Sequence, residues 1–362
     1  MLKVCIIGCG MIAESAHLPA YRRFSDDYKV AAVVDVSGER AESFAKKNGI
    51  PNWYTDADRM LEAEKPDVVS ICVPNKFHKE YTLKALVHGA NVLCEKPLAV
   101  TYRDACEMFD LAKEKGKILM ACQSMRFTPD RLAAKKYLDT QDIGDVYYVE
   151  FSRIRRRGIP YWGTFHMKDI SLGGAMCDIG VHMIDAVVWL VGCPDVVSAN
   201  AVMGQNHKCE LGDAVSSGIL TGNISNQRTF DPNEMDVEDF AAGSIKLKNG
   251  AVINFKTAWA ANLPECTEIR ISGKNAGIIL PEGKVLVGNS PETVLEAKKL
   301  PYDSPFAGHI CIIENLKNVL CGKEAPFVTS QETKTVALIL EMLYLSASEG
   351  REVCFKEITD RA

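Results

Sequence analysis

The stretch Lys3–Ala13, KVCIIGCGMIA, decides how the start of the chain is read. KVCIIG is an unbroken apolar run of strand length, and glycine ends it. Gly8 and Gly10 then sit where a strand turns sharply into a helix. There Gly8 permits the tight turn, and Gly10 lets backbone N–H groups approach a pyrophosphate at the helix start. Ala13 holds the third small position, where helix and sheet pack closely, and Met11 and Ile12 complete the loop. GxGxxA alone is a weak signal. After a strand and before a helix it predicts a dinucleotide site, with a merely structural turn as the alternative.

The neighbouring sequence continues the pattern. Lys29–Asp35, Asp67–Val73, Asn91–Glu95 and Lys117–Cys122 read as further strands. Helices are expected over Met11–Phe24, Glu39–Asn48, Lys79–His88 and Tyr102–Lys115. Continuous Val/Ile runs between helices mean strands covered on both faces, hence a doubly wound parallel sheet over residues 1–123. Ligands of such sheets lie beyond the strand carboxyl ends. Asp35 is positioned to accept the ribose hydroxyls of NAD and to repel a 2′-phosphate. Ser37 and Arg40 nearby keep NADP as the second choice. Pro74 and Asn75 follow the next strand and are expected against the cofactor, and His78 either opens a helix or reaches the nicotinamide side. Glu95-Lys96-Pro97 puts charge at the end of an apolar strand. Either this is a surface salt bridge, or Lys96 holds a substrate hydroxyl in the cleft and Glu95 orients it or the cofactor.

The chain has 362 residues, about two domains. Hydrophobic residues make up 47%, enough for full cores, so disorder is a poor reading. The net charge of -5 gives no support for a nucleic-acid or anionic-membrane surface. The 13 cysteines are scattered, with no CxxC pair, and read as reduced buried thiols suited to a cytoplasm. No apolar stretch of spanning length lacks charge, so no membrane segment is expected.

After Gln123 the pattern changes, and residues 124–362 are expected to form a second α/β domain on a large open, mostly antiparallel sheet. Val146–Arg155, Val196–Met203, Asp239–Lys248, Ala251–Trp259 and Cys266–Ser272 read as strands, with Asn249-Gly250 as a hairpin turn. Pro129–Leu138, Ala175–Val191, Ala307–Leu320 and Ser330–Ser348 read as helices, and the polar Gly204–Glu238 stretch as a surface insertion or an arm to a neighbouring subunit.

Within SLGGAMCDIGVHMIDAVVWLVG, Ser171–Gly192, a helix puts Asp178 and His182 one turn apart on one face, with Asp185 beyond. Three readings are open: a structural histidine satisfied by Asp178, acid–base chemistry on an alcohol, or a metal pair needing a third ligand such as His166 or His309. No metal is expected. Upstream, Arg153, Arg155, Arg156 and Arg157 suit phosphate or ordinary surface pairing. Tyr161, Trp162 and Phe165 could wall a sugar ring, with Lys168 as a polar contact.

GCGMIA, EKP at Glu95–Pro97 and GGAMCDIGVHMID at Gly173–Asp185, in that order, resemble the Gfo/Idh/MocA oxidoreductase family over essentially the whole chain. The resemblance implies an N-terminal Rossmann domain, a C-terminal open-sheet domain, NAD as cofactor, and hydride transfer at one hydroxyl of a sugar, glycoside or inositol. It makes Lys96, Asp178 and His182 the catalytic residues, and sets Gln123, Arg126 and Phe127 along the cleft. It also implies a homodimer or homotetramer through the C-terminal sheet. The segment Arg155–His182 resembles a subgroup containing glycoside 3-dehydrogenases, whose keto products a separate lyase can cleave. The rival readings are an inositol dehydrogenase and a non-catalytic NAD(P)-binding regulator.

Overall fold

A computed structural model describes residues 1–160, 163–207 and 231–360. The chain divides into two compact units. The first comprises Met1–Ala99, Arg103–Ser124 and Pro301–Thr333. Its parallel sheet contains β1 (Leu2–Ile7), β2 (Tyr28–Val34), β3 (Asn52–Tyr54), β4 (Val68–Ile71), β5 (Asn91–Cys94) and β6 (Leu119–Ala121), in the order β3-β2-β1-β4-β5-β6. Side chains alternate across it. Ile6 and Val33 enter one apolar cluster with Leu18 and Phe44, whereas Ile7 and Val34 enter the other with Val69, Val92 and Met108. Both faces are therefore dry, which is why β1, β4 and β5 read as continuous apolar runs. The strand order reverses between β1 and β4, the switch point at which such sheets bind nucleotides.

Two elements here escape the hydrophobic pattern. β3 is a short edge strand with Asn52 and Trp53 exposed, and the helix Ala57–Glu64 that follows has only eight residues. The expected helix over Met11–Phe24 is present over residues 11–23, with a π turn, Ala13–His17, within it ahead of Leu18–Arg23. Helix Ala307–Leu320 packs with this unit, where the Tyr28 hydroxyl donates to the Ile313 carbonyl.

The second unit comprises Val100–Tyr102, Met125–Leu300 and Lys334–Ala362. Its sheet contains β7 (Val146–Ile154), β8 (Val196–Gly204), β9 (Phe240–Leu247), β10 (Val252–Ala258), β11 (Cys266–Gly273), β12 (Gly277–Leu280), β13 (Lys284–Leu286), β14 (Thr293–Val294) and β15 (Val353–Cys354). Their order is β14-β13-β12-β11-β7-β10-β9-β8-β15. Every pairing is antiparallel except β7 with β10, which run parallel from Tyr148 opposite Val252. The sheet is thus mixed, and largely antiparallel as expected. Asn249-Gly250 makes the β9–β10 turn, with Gly250 at φ +86° and the Asn249 side chain accepting from Ala251 N–H at 3.0 Å.

The segment Lys168–Leu190 is apolar and long enough to cross a membrane by length and composition alone, but 78% of its most apolar window is buried inside the protein. Its helix Val181–Leu190 is buried nearly all round, so packing accounts for the composition. The polar insertion falls mostly on 208–230, outside the described residues.

Candidate active site

In the first unit, the residues singled out from sequence gather at the carboxyl ends of β1, β2, β4, β5 and β6. Gly8 has φ +97°, and a Cβ there would lie 2.5 Å from the Cys72 carbonyl oxygen, so only glycine fits. Gly10 is the opposite case: a Cβ there would meet nothing within 4 Å, leaving an exposed backbone cradle before the half-buried Met11 and Ile12. Asp35 ends β2 and fixes the loop, with Oδ2 accepting from Cys9 N–H and Oδ1 from Ser37 N–H, both at 3.0 Å. Arg40 pairs with the same carboxylate at 3.3 Å, so a 2′-phosphate approaching Arg40 would face Asp35 as well. Gln123 beyond β6 is buried, and its Oε1 has no hydrogen-bond partner among the described residues. An N–H donor on a bound group would satisfy it. The open cradle, the acid at the end of β2 and this orphaned acceptor fit a dinucleotide. The Gly8–Ile12 loop would hold its diphosphate, and Asp35 its ribose hydroxyls.

Past β4, Pro74 is exposed and Asn75 half-buried. His78 is fully buried instead: its Nδ1 contacts the Pro97 carbonyl at 2.7 Å and its Nε2 the Val73 carbonyl at 2.9 Å. The buried ring lies between the β4 and β5 loops, with a backbone carbonyl of each against one of its nitrogens, so this histidine braces the loops and is not aimed at a nicotinamide. Burial pushes its pKa down. Lys96 is half-buried after β5. Its N–H donates to Glu95 Oε2 at 3.2 Å. Glu95 Oε1 contacts His17 Nε2 at 2.9 Å and His309 Nε2 at 3.2 Å. Burial opposes ionisation of Glu95, but the two imidazoles outweigh it and hold the carboxyl well below its usual range. His17 Nδ1 lies 3.2 Å from Ser70 Oγ, which also contacts the Tyr21 hydroxyl at 2.7 Å. Glu95 is thus no surface ion pair but the centre of a buried network. His17 carried no sequence signal, since it lies within an apolar helical pattern.

In the second unit, Asp178 and His182 straddle the junction between a π turn, Met176–Gly180, and helix Val181–Leu190. Asp178 Oδ2 accepts the indole N–H of Trp259 at 2.9 Å, and Arg155 lies 4.0 Å away. The Asp178 carboxylate is 15% exposed. Trp259, just past β10, is fully buried and packs with Ile159, Ile179 and Val237, against which Phe165 lies partly buried. Glu238 braces the start of this segment, accepting from Gly174 N–H and Met176 N–H at 2.9 Å and from the Tyr344 hydroxyl at 2.8 Å. A Cβ at Gly174 would lie 2.0 Å from the Glu238 carbonyl oxygen. The Gly173-Gly174 pair was therefore the sequence's mark of this close approach, although it did not name Glu238. Arg153 on β7 donates to Met125 Sδ, and burial together with Arg155 and Arg131 pushes its pKa down to about 10.

Two expectations change here. Arg126 does not line a pocket: it is fully buried, with Nε and Nη2 gripping Asp185 at 2.8 and 2.6 Å. That pair sits inside the unit, so Asp185 is structural as well. His166 is buried with Glu234 at 3.8 Å, and His309 belongs to the Glu95 network. Tyr161 and Trp162 lie outside the described residues.

The comparisons with known proteins agree with this architecture. Residues 2–123 match the family described as "Oxidoreductase family, NAD-binding Rossmann fold", and residues 132–279 match "GFO/IDH/MocA C-terminal domain". The chain is 33% identical over 355 residues to D-glucoside 3-dehydrogenase of Escherichia coli, covering 97% of each. It is 30% identical to a scyllo-inositol 2-dehydrogenase (NADP(+)) of Bacillus subtilis, over 78% of this chain and 84% of that one. A levoglucosan dehydrogenase solved with NADH and levoglucosan shares the fold, with a TM-score of 0.78 at 23% identity over 98% and 99% of the two chains. The chain belongs to the Gfo/Idh/MocA family of oxidoreductases. Its first unit carries that family's NAD-binding Rossmann fold.

Proposed function

We propose that the protein is an NAD-dependent dehydrogenase of a sugar or glycoside ring hydroxyl, with the C3 hydroxyl of a glucoside as the reacting group. The observation that carries this reading is the end-to-end similarity to D-glucoside 3-dehydrogenase. NAD⁺ supplies the hydride acceptor. The His182 imidazole takes the hydroxyl proton as the carbinol C–H is lost, and returns it in the reverse direction. The Lys96 ammonium stabilises the developing alkoxide. The Asp178 carboxylate, oriented by Trp259 at Oδ2, binds a neighbouring substrate hydroxyl. Phe165 supports an apolar wall for the ring. The keto product acidifies the adjacent C–H, so a lyase that eliminates an aglycone is a fitting consumer.

Similarity to an inositol dehydrogenase supports a second reading, oxidation of a cyclitol by the same residues. Purified protein with NAD⁺ and a panel of methyl β-glucoside, glucose, myo-inositol and scyllo-inositol separates them by NADH formation. The glucoside is expected to react fastest and to give the 3-keto product. Turnover of cyclitols alone overturns the glucoside assignment, and NAD binding without any turnover points to a regulator. Self-association as a dimer or tetramer through the nine-stranded sheet belongs to the same proposal. A monomeric mass by light scattering overturns it.

A further inference from the structure

The buried network around Glu95 has a use that hydride transfer leaves unassigned. His17, Glu95, Cys122 and His309 are all buried, and each offers one ligand atom, all of these lying within 4.8 Å of one another. They come from four places remote in sequence: the π turn after the glycine loop, the ends of β5 and β6, and helix Ala307–Leu320. The two imidazole Nε2 atoms approach the same carboxylate oxygen at 2.9 and 3.2 Å. In a tetrahedral zinc site with Zn–N and Zn–O bonds of ~2.0–2.1 Å, neighbouring ligand atoms are ~3.3 Å apart. The two imidazole–carboxylate spacings are close to that edge, and the remaining pairs lie within 4.8 Å.

We propose that these four side chains bind a divalent transition metal, with zinc preferred. Two imidazoles, a thiolate and a carboxylate are a borderline-soft set that favours zinc over magnesium or calcium. Four protein ligands close the shell, so the ion is structural and does not activate water. Ser70, on the far nitrogen of His17, orients that ring as outer-shell partners of ligating histidines do. The ion fastens helix Ala307–Leu320 to the carboxyl edge of the Rossmann sheet and fixes Glu95, whose Oε2 holds the Lys96 N–H. The site lies wholly in the first unit and stands whether or not the substrate is a glucoside. Hydrogen bonding alone is the competing account, because an ionised Glu95 can accept from both imidazoles.

The test is titration of chelator-treated, full-length protein with Co²⁺, followed by visible and near-ultraviolet absorption. About one equivalent should bind, with tetrahedral d–d bands and a thiolate-to-cobalt charge-transfer band, and Zn²⁺ should erase both. Cys122→Ser should remove the charge-transfer band while keeping d–d bands. His309→Gln should weaken Co²⁺ binding at least ~10-fold in a protein whose circular dichroism is unchanged. Absence of tetrahedral bands in folded wild-type protein overturns the proposal. So does a charge-transfer band that survives Cys122→Ser, or binding unaffected by His309→Gln.

Discussion

The indole N–H of Trp259 donates to Asp178 Oδ2 at 2.9 Å, and the tryptophan is itself fixed by complete burial and by its backbone N–H on the Asp239 carbonyl. The indole thereby fixes the orientation of the carboxylate. Trp259→Phe keeps most of the packing and deletes this bond. A hydrogen bond to a charged group contributes ~1.5–3 kcal/mol, so kcat/KM should fall by ~10- to 100-fold with NADH affinity unchanged. Steady-state kinetics with the best substrate of the panel, alongside NADH fluorescence titration, checks this. An unaltered kcat/KM would remove Trp259 from the account.

Lys96 and His182 are assigned to the reacting hydroxyl, not to the fold. Lys96→Ala and His182→Ala should each lower turnover by ~10²-fold or more while leaving NADH binding within a few-fold of wild type. Equal losses of NADH affinity and turnover in both variants would instead assign them to cofactor binding.

The two glycines of the loop should fail differently. Gly8→Ala forces a Cβ to 2.5 Å from the Cys72 carbonyl at φ +97°, so it should destabilise the fold by ~1–3 kcal/mol. Gly10→Ala meets no protein atom within 4 Å, so stability should hold within ~0.5 kcal/mol while NADH binding weakens as the methyl occupies the cradle. Thermal melts and NADH titrations of both variants separate the effects. A Gly10→Ala protein with normal NADH affinity would contradict the cradle.

Glu64 offers a pH test of the first unit. Burial raises its carboxyl pKa, but the Lys3 ammonium, the Tyr54 hydroxyl and the Asn52 amide outweigh burial and hold it below the usual value. A depressed folded pKa means that this stabilisation is fully present above the unfolded value of ~4.3 and is lost as pH falls through the folded value. Glu64→Gln should therefore melt below wild type at pH 7, with the two melting temperatures converging on acidification. A gap that stays constant to low pH would show that the charge of Glu64 is not what matters.

What the sequence made legible follows from burial. β1, β4 and β5 are covered on both faces, so their apolar runs and the glycines after β1 were plain. β3 was not, because an exposed three-residue edge strand leaves no period to read. Both π turns were hidden, since a shifted backbone hydrogen bond changes no hydropathy. The parallel direction of β10 beside β7 depends on a long connection that local pattern does not encode. At the candidate site, the one-turn spacing of Asp178 and His182 along a helical segment was legible. Trp259 and Glu238 were not, because their contacts with that turn are made only on folding. Arg126 misled for the same reason: a cation near a cleft motif reads alike whether it faces a ligand or a buried Asp185.

In the proposed reaction, hydride leaves C3 of the glucoside for the nicotinamide. Methyl β-D-glucoside deuterated at C3, incubated with unlabelled NAD⁺ and this protein, tests it most directly. Mass spectrometry of the nucleotide should find one deuterium in the NADH formed, and the sugar product should have lost it. Unlabelled NADH produced during turnover, or label released to water, would contradict the account.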